Sequence, residues 1–192
     1  MIIAQQLQSR NRAEYLLYMW QVEDIIRLHH CDIDALAEHY LSQFTTDADT
    51  AAAMRRWYAD LCDMMRAEDK QEHGHLQITL NVIASLEDLH EQLLASSLYP
   101  YYRQMYHKVL PYIVELRARK SSDEANGNSE SHAALSELTQ LFEFLYGIML
   151  LRLQHKEISA PTQQAAADVT ALLGQLSDYW KADKAGELKL ED

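Results

Sequence analysis

Apolar residues recur at three- and four-residue intervals along nearly the whole chain, the spacing that gathers them on one face of an α-helix. The period and its punctuation predict about seven helices. The first covers about 11–29, with Ser9 or Asn11 as its cap, and a short second runs from Asp32 or Asp34 to near Phe44. Thr45, Thr46 and Asp47 open a third, whose stripe of Met54, Tyr58, Leu61 and Met65 runs on to His73 and Gly74. A fourth, about 75–97, places Val82, Leu86, Leu89 and Leu93 at core spacing. Pro100 suits the first turn of a fifth, and Pro111 is expected to kink or end it. A sixth, about 133–155, turns Leu138, Leu141, Phe142, Leu145, Ile148 and Met149 inward, and a seventh, about 161–180, does so with Val169, Leu172, Leu173, Leu176 and Trp180.

The stretch 121–131 interrupts this pattern. It reads S-S-D-E-A-N-G-N-S-E-S, nearly free of apolar side chains and carrying the Asn126-Gly127 turn signal. It is expected to be a flexible loop inside one domain, because the segment beyond it is too short to bury a core of its own. The expected fold is therefore all-α, a single compact bundle over 1–182 with a frayed tail at 183–192. No repeat of fixed period points to a solenoid.

Composition supports helices. The chain has 5 Gly and 3 Pro in 192 residues, too few for the turns of a sheet-rich fold. The formal net charge of −12 argues against binding a phosphate backbone, so nucleic acid is not an expected partner. Cys31 and Cys62 form no C-x-x-C pair and no disulfide framework. The first ten residues lack the basic start and apolar core of a signal peptide, and the longest apolar run, 144–151, is far too short to span a bilayer. A cytoplasmic protein without membrane contact is the expectation.

The stretch A-E-Y-L-L-Y-M-W-Q-V-E-D-I-I-R, 13–27, carries the most suggestive chemistry. It is apolar on two sides, as befits a helix packed between others, yet Glu23, Asp24 and Arg27 share its second half. Glu23 and Arg27 stand four apart with the acid first, the favourable order for a helical ion pair. The structural reading is a paired internal tie. The functional alternative is a ligand pocket between helices, lined by Trp20, Glu23, Asp24 and Arg27 with Tyr102 and Tyr106 of the fifth helix.

Other clusters carry less. Glu87 and His90 have the E-x-x-H spacing of di-iron bundles, but no second such pair exists. In a hairpin turning at Gly74, Glu68 lies roughly 9 Å before the turn and Glu87 about 20 Å after it, so they cannot share a metal. Asp69, His73 and His75 have the makings of a single-metal site, but short His/acid runs are common at helix ends, and they and His29 and His30 read better as solvated or core-edge side chains. The stretch 99–112 mixes five Tyr with Arg103, His107 and Lys108. Its stripe of Tyr102, Met105, Tyr106, Val109 and Ile113 is that of a core-facing helix, and any exposed remainder suits a protein surface better than nucleic acid.

The stretch 13–27, behind M-I-I-A-Q-Q-L, resembles the start of a domain-of-unknown-function family of all-helical proteins of about this length from gut-type anaerobic bacteria. The similarity extends over most of the chain. It implies a cytoplasmic helical protein of bacterial origin, with no established activity and no functional residue to carry over.

No phosphate-cradling loop, nucleophile elbow, zinc spacing or complete carboxylate–histidine set is present in the sequence. No cofactor, metal or catalytic residue is expected. The sequence favours a non-enzymatic interaction or scaffold protein, self-associating or bound to another protein, over a small-ligand binder or enzyme with its pocket near Trp20, and over a metal-binding protein.

Overall fold

The computed structural model describes residues 1–44, 46–125 and 136–190. Among these there are eight α-helices and one 3-10 turn, and no strand. The helices are α1 (Ile2–Arg10), α2 (Arg12–Leu28), α3 (Ile33–His39), α4 (Ala48–Ala67), α5 (Gln77–Ala95), α6 (Pro100–Ala125), α7 (Glu137–Leu153) and α8 (Ala160–Lys184). The fold class is all-α, as the periodicity predicts. None of these helices is long and apolar enough to cross a membrane. The chain divides into two compact units, Met1–Ala84 and Ser85–Asp192, with the division inside α5.

Helix starts follow the polar punctuation. The Asn11 side chain accepts from the N–H of Ala13 and Glu14, while its own N–H closes α1 on Leu7. Asn11 is extended, at φ −152°, so one residue ends a helix and begins the next. This makes α1 an element additional to the seven expected. It is short, Gln-rich and buries only Ala4, so it shows little apolar period. Asp32, Asp47, Ser136 and Ser159 cap α3, α4, α7 and α8 through their side-chain oxygens.

Several ends use a left-handed residue. His30, Asp69 and His155 have φ of 53–56°, and Gly186 has 71°. At each, two N–H groups reach back three and five residues, as in Lys70 to Met65 and Asp69 to Arg66. These are Schellman closures, three of them built without glycine. One of them stops α4 at Ala67, so the helix expected to reach His73 gives way to an irregular segment, 68–76. The second expected helix likewise ends early, at His39, and a 3-10 turn, Leu41–Gln43, completes it.

Pro111 neither ends α6 nor starts a new element. It sits exposed inside the helix, which continues to Ala125 and thereby makes 121–125 helical rather than loop. Residues 126–131 of the expected loop lie outside the described residues. At the other end α8 runs to Lys184, and beyond it the Tyr99 hydroxyl donates to the Lys189 carbonyl at 2.6 Å.

The first unit packs α1 on α2, and α3 with its 3-10 turn on α4. Leu16, Met19, Trp20, Ile26, Leu36, Cys62, Met65 and Leu76 are among its fully buried side chains. The second unit packs α8 against α6 and α7. Leu93, Tyr102, Val109, Ile113, Phe142, Val169, Leu172 and Leu176 are buried there, drawn from four stripes that the period marks.

Candidate functional site

Trp20, Glu23, Asp24 and Arg27 lie on α2 in the first unit, and their side chains serve the segment 68–76 that joins α4 to α5. Glu23 is fully buried. Its Oε1 accepts from the Leu76 N–H at 3.1 Å and from the Thr79 hydroxyl at 3.2 Å. Its Oε2 lies 2.7 Å from Nδ1 of His75. An ionised carboxylate only accepts, so in that form the hydrogen of this bond is the imidazole's. The His75 ring also stacks on Trp20, with centroids 4.1 Å apart and planes 14° from parallel.

The expected Glu23–Arg27 pair is looser than its spacing suggests, at 3.9 Å. Arg27 instead donates to the Lys70 carbonyl at 3.2 Å, to the Gly74 carbonyl, and to Asp24 at 2.8 Å. The cause lies in the chain around it. Asp69 and Gly74, both at positive φ, fold 68–76 so that two carbonyls point at the guanidinium, and these reach it better than the Glu23 carboxylate. Asp24 is exposed, whereas Glu23 is buried.

Glu23 and Glu68 together do one job. Leu76 supplies no side-chain cap for α5, and the first N–H groups of that helix are met from outside. Glu23 takes that of Leu76, and Glu68 takes that of Gln77 at 2.7 Å. Two carboxylates at a helix N-terminus also complement its dipole.

Tyr102 and Tyr106 belong to the second unit and to a different network. The Tyr102 hydroxyl is 2.6 Å from Nδ1 of His90, and both side chains are buried. Burial pushes the Tyr102 phenol far above its ordinary value and holds the His90 imidazole below its own, with Glu137 opposing the latter. Tyr106 donates to Glu137, and burial together with that carboxylate pushes its phenol up to about 12. Glu87 accepts from Ser136 and from Thr139, so it and His90 serve separate partners despite their E-x-x-H spacing. Among the described residues no three His, Cys, Asp or Glu side chains are placed to hold a metal ion.

The sequence marked the Tyr- and Lys-bearing stretch 99–112 but not Asp168, which that stretch meets on α8. Its Oδ1 accepts from the Lys108 ammonium at 2.7 Å and the Gln164 amide at 3.0 Å, and its Oδ2 from the Tyr112 hydroxyl at 3.1 Å. These donors, the Lys108 bond first, hold the Asp168 carboxyl below its usual range, and the same bond raises the Lys108 ammonium. The cluster borders a cleft of about 310 Å³ between α6 and α8, lined by Tyr101, Gln104, Met105, Lys108, Asp168 and Ala171. Asp168 and Lys108 are 60 residues apart, beyond any periodic pattern. One signal was available: Asp168 is the only acid between Pro161 and Ser177 of an otherwise Ala-, Leu- and Gln-rich helix.

Helices throughout the described residues, and charged side chains bonded to the chain's own groups, define an all-helical protein. It belongs to the family described as Domain of unknown function (DUF4924), whose pattern matches residues 1–187. No curated protein and no solved structure matches the chain.

Proposed function

We propose that this chain is a non-catalytic helical interaction protein of the cytoplasm, working through association with another protein or with its own copies. The observation that carries this reading is the arrangement around Glu23. The most chemically loaded cluster in the chain has its buried carboxylate bonded to a main-chain N–H, a hydroxyl and an imidazole, and its guanidinium bonded to two carbonyls. A ligand entering there would have to break the start of α5. Large apolar side chains on the surface supply the positive support. Ile2 and Ile3 are 48% and 55% exposed at the start of α1, and Leu28 and Phe44 are similarly uncovered. Exposed apolar groups of this size suit a protein partner.

Sedimentation velocity over the micromolar range, combined with in-cell cross-linking, tests the proposal. The expected result is a concentration-dependent complex, or a cross-linked partner, that is lost when Ile2→Lys and Ile3→Lys are combined while the helical circular dichroism is kept. A monomer throughout, with no cross-linked partner, overturns it.

A further inference from the structure

We infer that the cleft between α6 and α8 binds a small zwitterion of the amino-acid kind: an ammonium for Asp168, a carboxylate for Lys108 and an apolar side chain against Tyr101 and Met105. This goes beyond the interaction role and does not depend on it. The cleft, at about 310 Å³, has the size at which small-molecule sites begin, about 300 Å³.

Its charged groups are unequal in a way that favours exchange. The Asp168 side chain is 9% exposed and fixed from two helices, by Tyr112 of α6 and by Gln164 one turn earlier on α8. A carboxylate has about four acceptor positions, and these two donors hold it whether or not Lys108 stays. The Lys108 side chain is 63% exposed on a flexible stem, free to swing off Asp168 at little cost. A fixed acceptor beside a movable cation is a receptive arrangement.

Charge balance selects the ligand class. A lone organic cation taking the Lys108 place on Asp168 would leave two ammonium groups side by side. A lone anion would meet the Asp168 carboxylate. A ligand with both charges replaces one ion pair by two and leaves the site neutral. The remaining walls fit an apolar body. Tyr101 is 62% exposed and offers an aromatic ring, Met105 adapts in shape, and Ala171 takes up little of the space.

The test is titration of the full-length protein with L-phenylalanine, followed by calorimetry and by amide chemical shifts. Phenethylamine and 3-phenylpropanoate, each with one of the two charges, serve as controls. The expected result is saturable binding that moves the amides around 101–108 and 168–171, with both controls weaker by about tenfold or more. Asp168→Asn and Lys108→Met should each weaken binding by a similar factor, and Ala171→Leu should abolish it by filling the cleft. Lys108→Met and Ala171→Leu change exposed positions, so the result does not hang on the folding of the Asp168 variant. No saturable binding overturns the inference. So does phenethylamine binding as well as phenylalanine, or binding that survives Ala171→Leu.

Discussion

Glu23 in the first unit and Asp168 in the second are each carboxylates met by three donors, yet they are built for opposite ends. Glu23 receives a main-chain N–H, a buried hydroxyl and an imidazole wedged against Trp20. None of these can leave without unmaking the start of α5. Asp168 receives side chains only, and the strongest of the three comes from an exposed lysine. The number of hydrogen bonds is the same. What differs is whether the donors belong to the fold or can be exchanged, and that separates a structural carboxylate from a receptive one.

The largest expected effect follows from the first half of this contrast. Glu23→Ala strands the buried Leu76 N–H and removes a charge-assisted bond to His75, while the Thr79 hydroxyl keeps the Leu76 carbonyl at 2.8 Å, and it should cost about 3 kcal/mol or more of stability. Urea unfolding of the full chain measures it. A loss below about 1 kcal/mol would mean that water or Arg27 replaces the carboxylate, and the contrast with Asp168 would fail. His75→Ala, which removes one bond and the Trp20 stack from a half-buried position, should cost less, about 2 kcal/mol.

His90 asks whether burial governs polar groups in the second unit as it does around Glu23. Its folded-state proton affinity lies below the ordinary imidazole value because burial disfavours the charged ring. The unfolded chain therefore binds a proton that the folded chain refuses. Stability should fall as pH drops below about 6.5, with a slope approaching 1.4 kcal/mol per pH unit, until the folded value is reached. His90→Gln should remove that component, read as the difference between urea midpoints across the acid range. An unchanged slope would show that other groups set it.

The legible part of the molecule is the part that depends on neighbours in sequence. The stripe Val82, Leu86, Leu89 and Leu93 and the stripe Val169, Leu172, Leu173 and Leu176 are buried as their spacing requires. Asn11, Asp32 and Asp47 cap helices as their chemistry suggests. The misreadings have local causes too. Pro111 passes through α6 on an exposed face, where the chain tolerates one missing hydrogen bond. Asp69 adopts the left-handed conformation usually reserved for glycine, so α4 stops where no glycine announces it. Glu23 was expected to meet Arg27, four residues away, and does so only loosely, at 3.9 Å. Its hydrogen-bond partners are more than 50 residues on, in a segment whose path depends on that same Asp69.

That dependence makes Asp69→Gly a smaller and sharper test. The substitution removes the strain of a non-glycine residue at φ 56° in the segment that supplies the partners of Glu23 and Arg27. It should stabilise the first unit by about 1 kcal/mol. Stabilisation seen in the wild-type background but absent from Glu23→Ala would show the segment and the carboxylate acting together. A loss of stability instead would assign the Asp69 side chain a bond worth more than its backbone strain.

The smallest effect belongs to Lys108→Met, and its smallness is what the contrast requires. The ammonium is largely in water, and an ion pair with one solvated partner contributes little to folding. Whatever the pair contributes is complete above the ordinary carboxylate range near 3.9 and is lost as pH falls from there through the depressed folded value of the Asp168 carboxyl. The urea midpoint at neutral pH should therefore match wild type within the error of the measurement. A marked loss would place Lys108 among the fixed donors, making Asp168 a second Glu23 and closing the cleft to exchange. An unchanged midpoint alongside weakened phenylalanine binding would separate the two carboxylates in one variant, because a donor that the fold does not need is one that a ligand can replace.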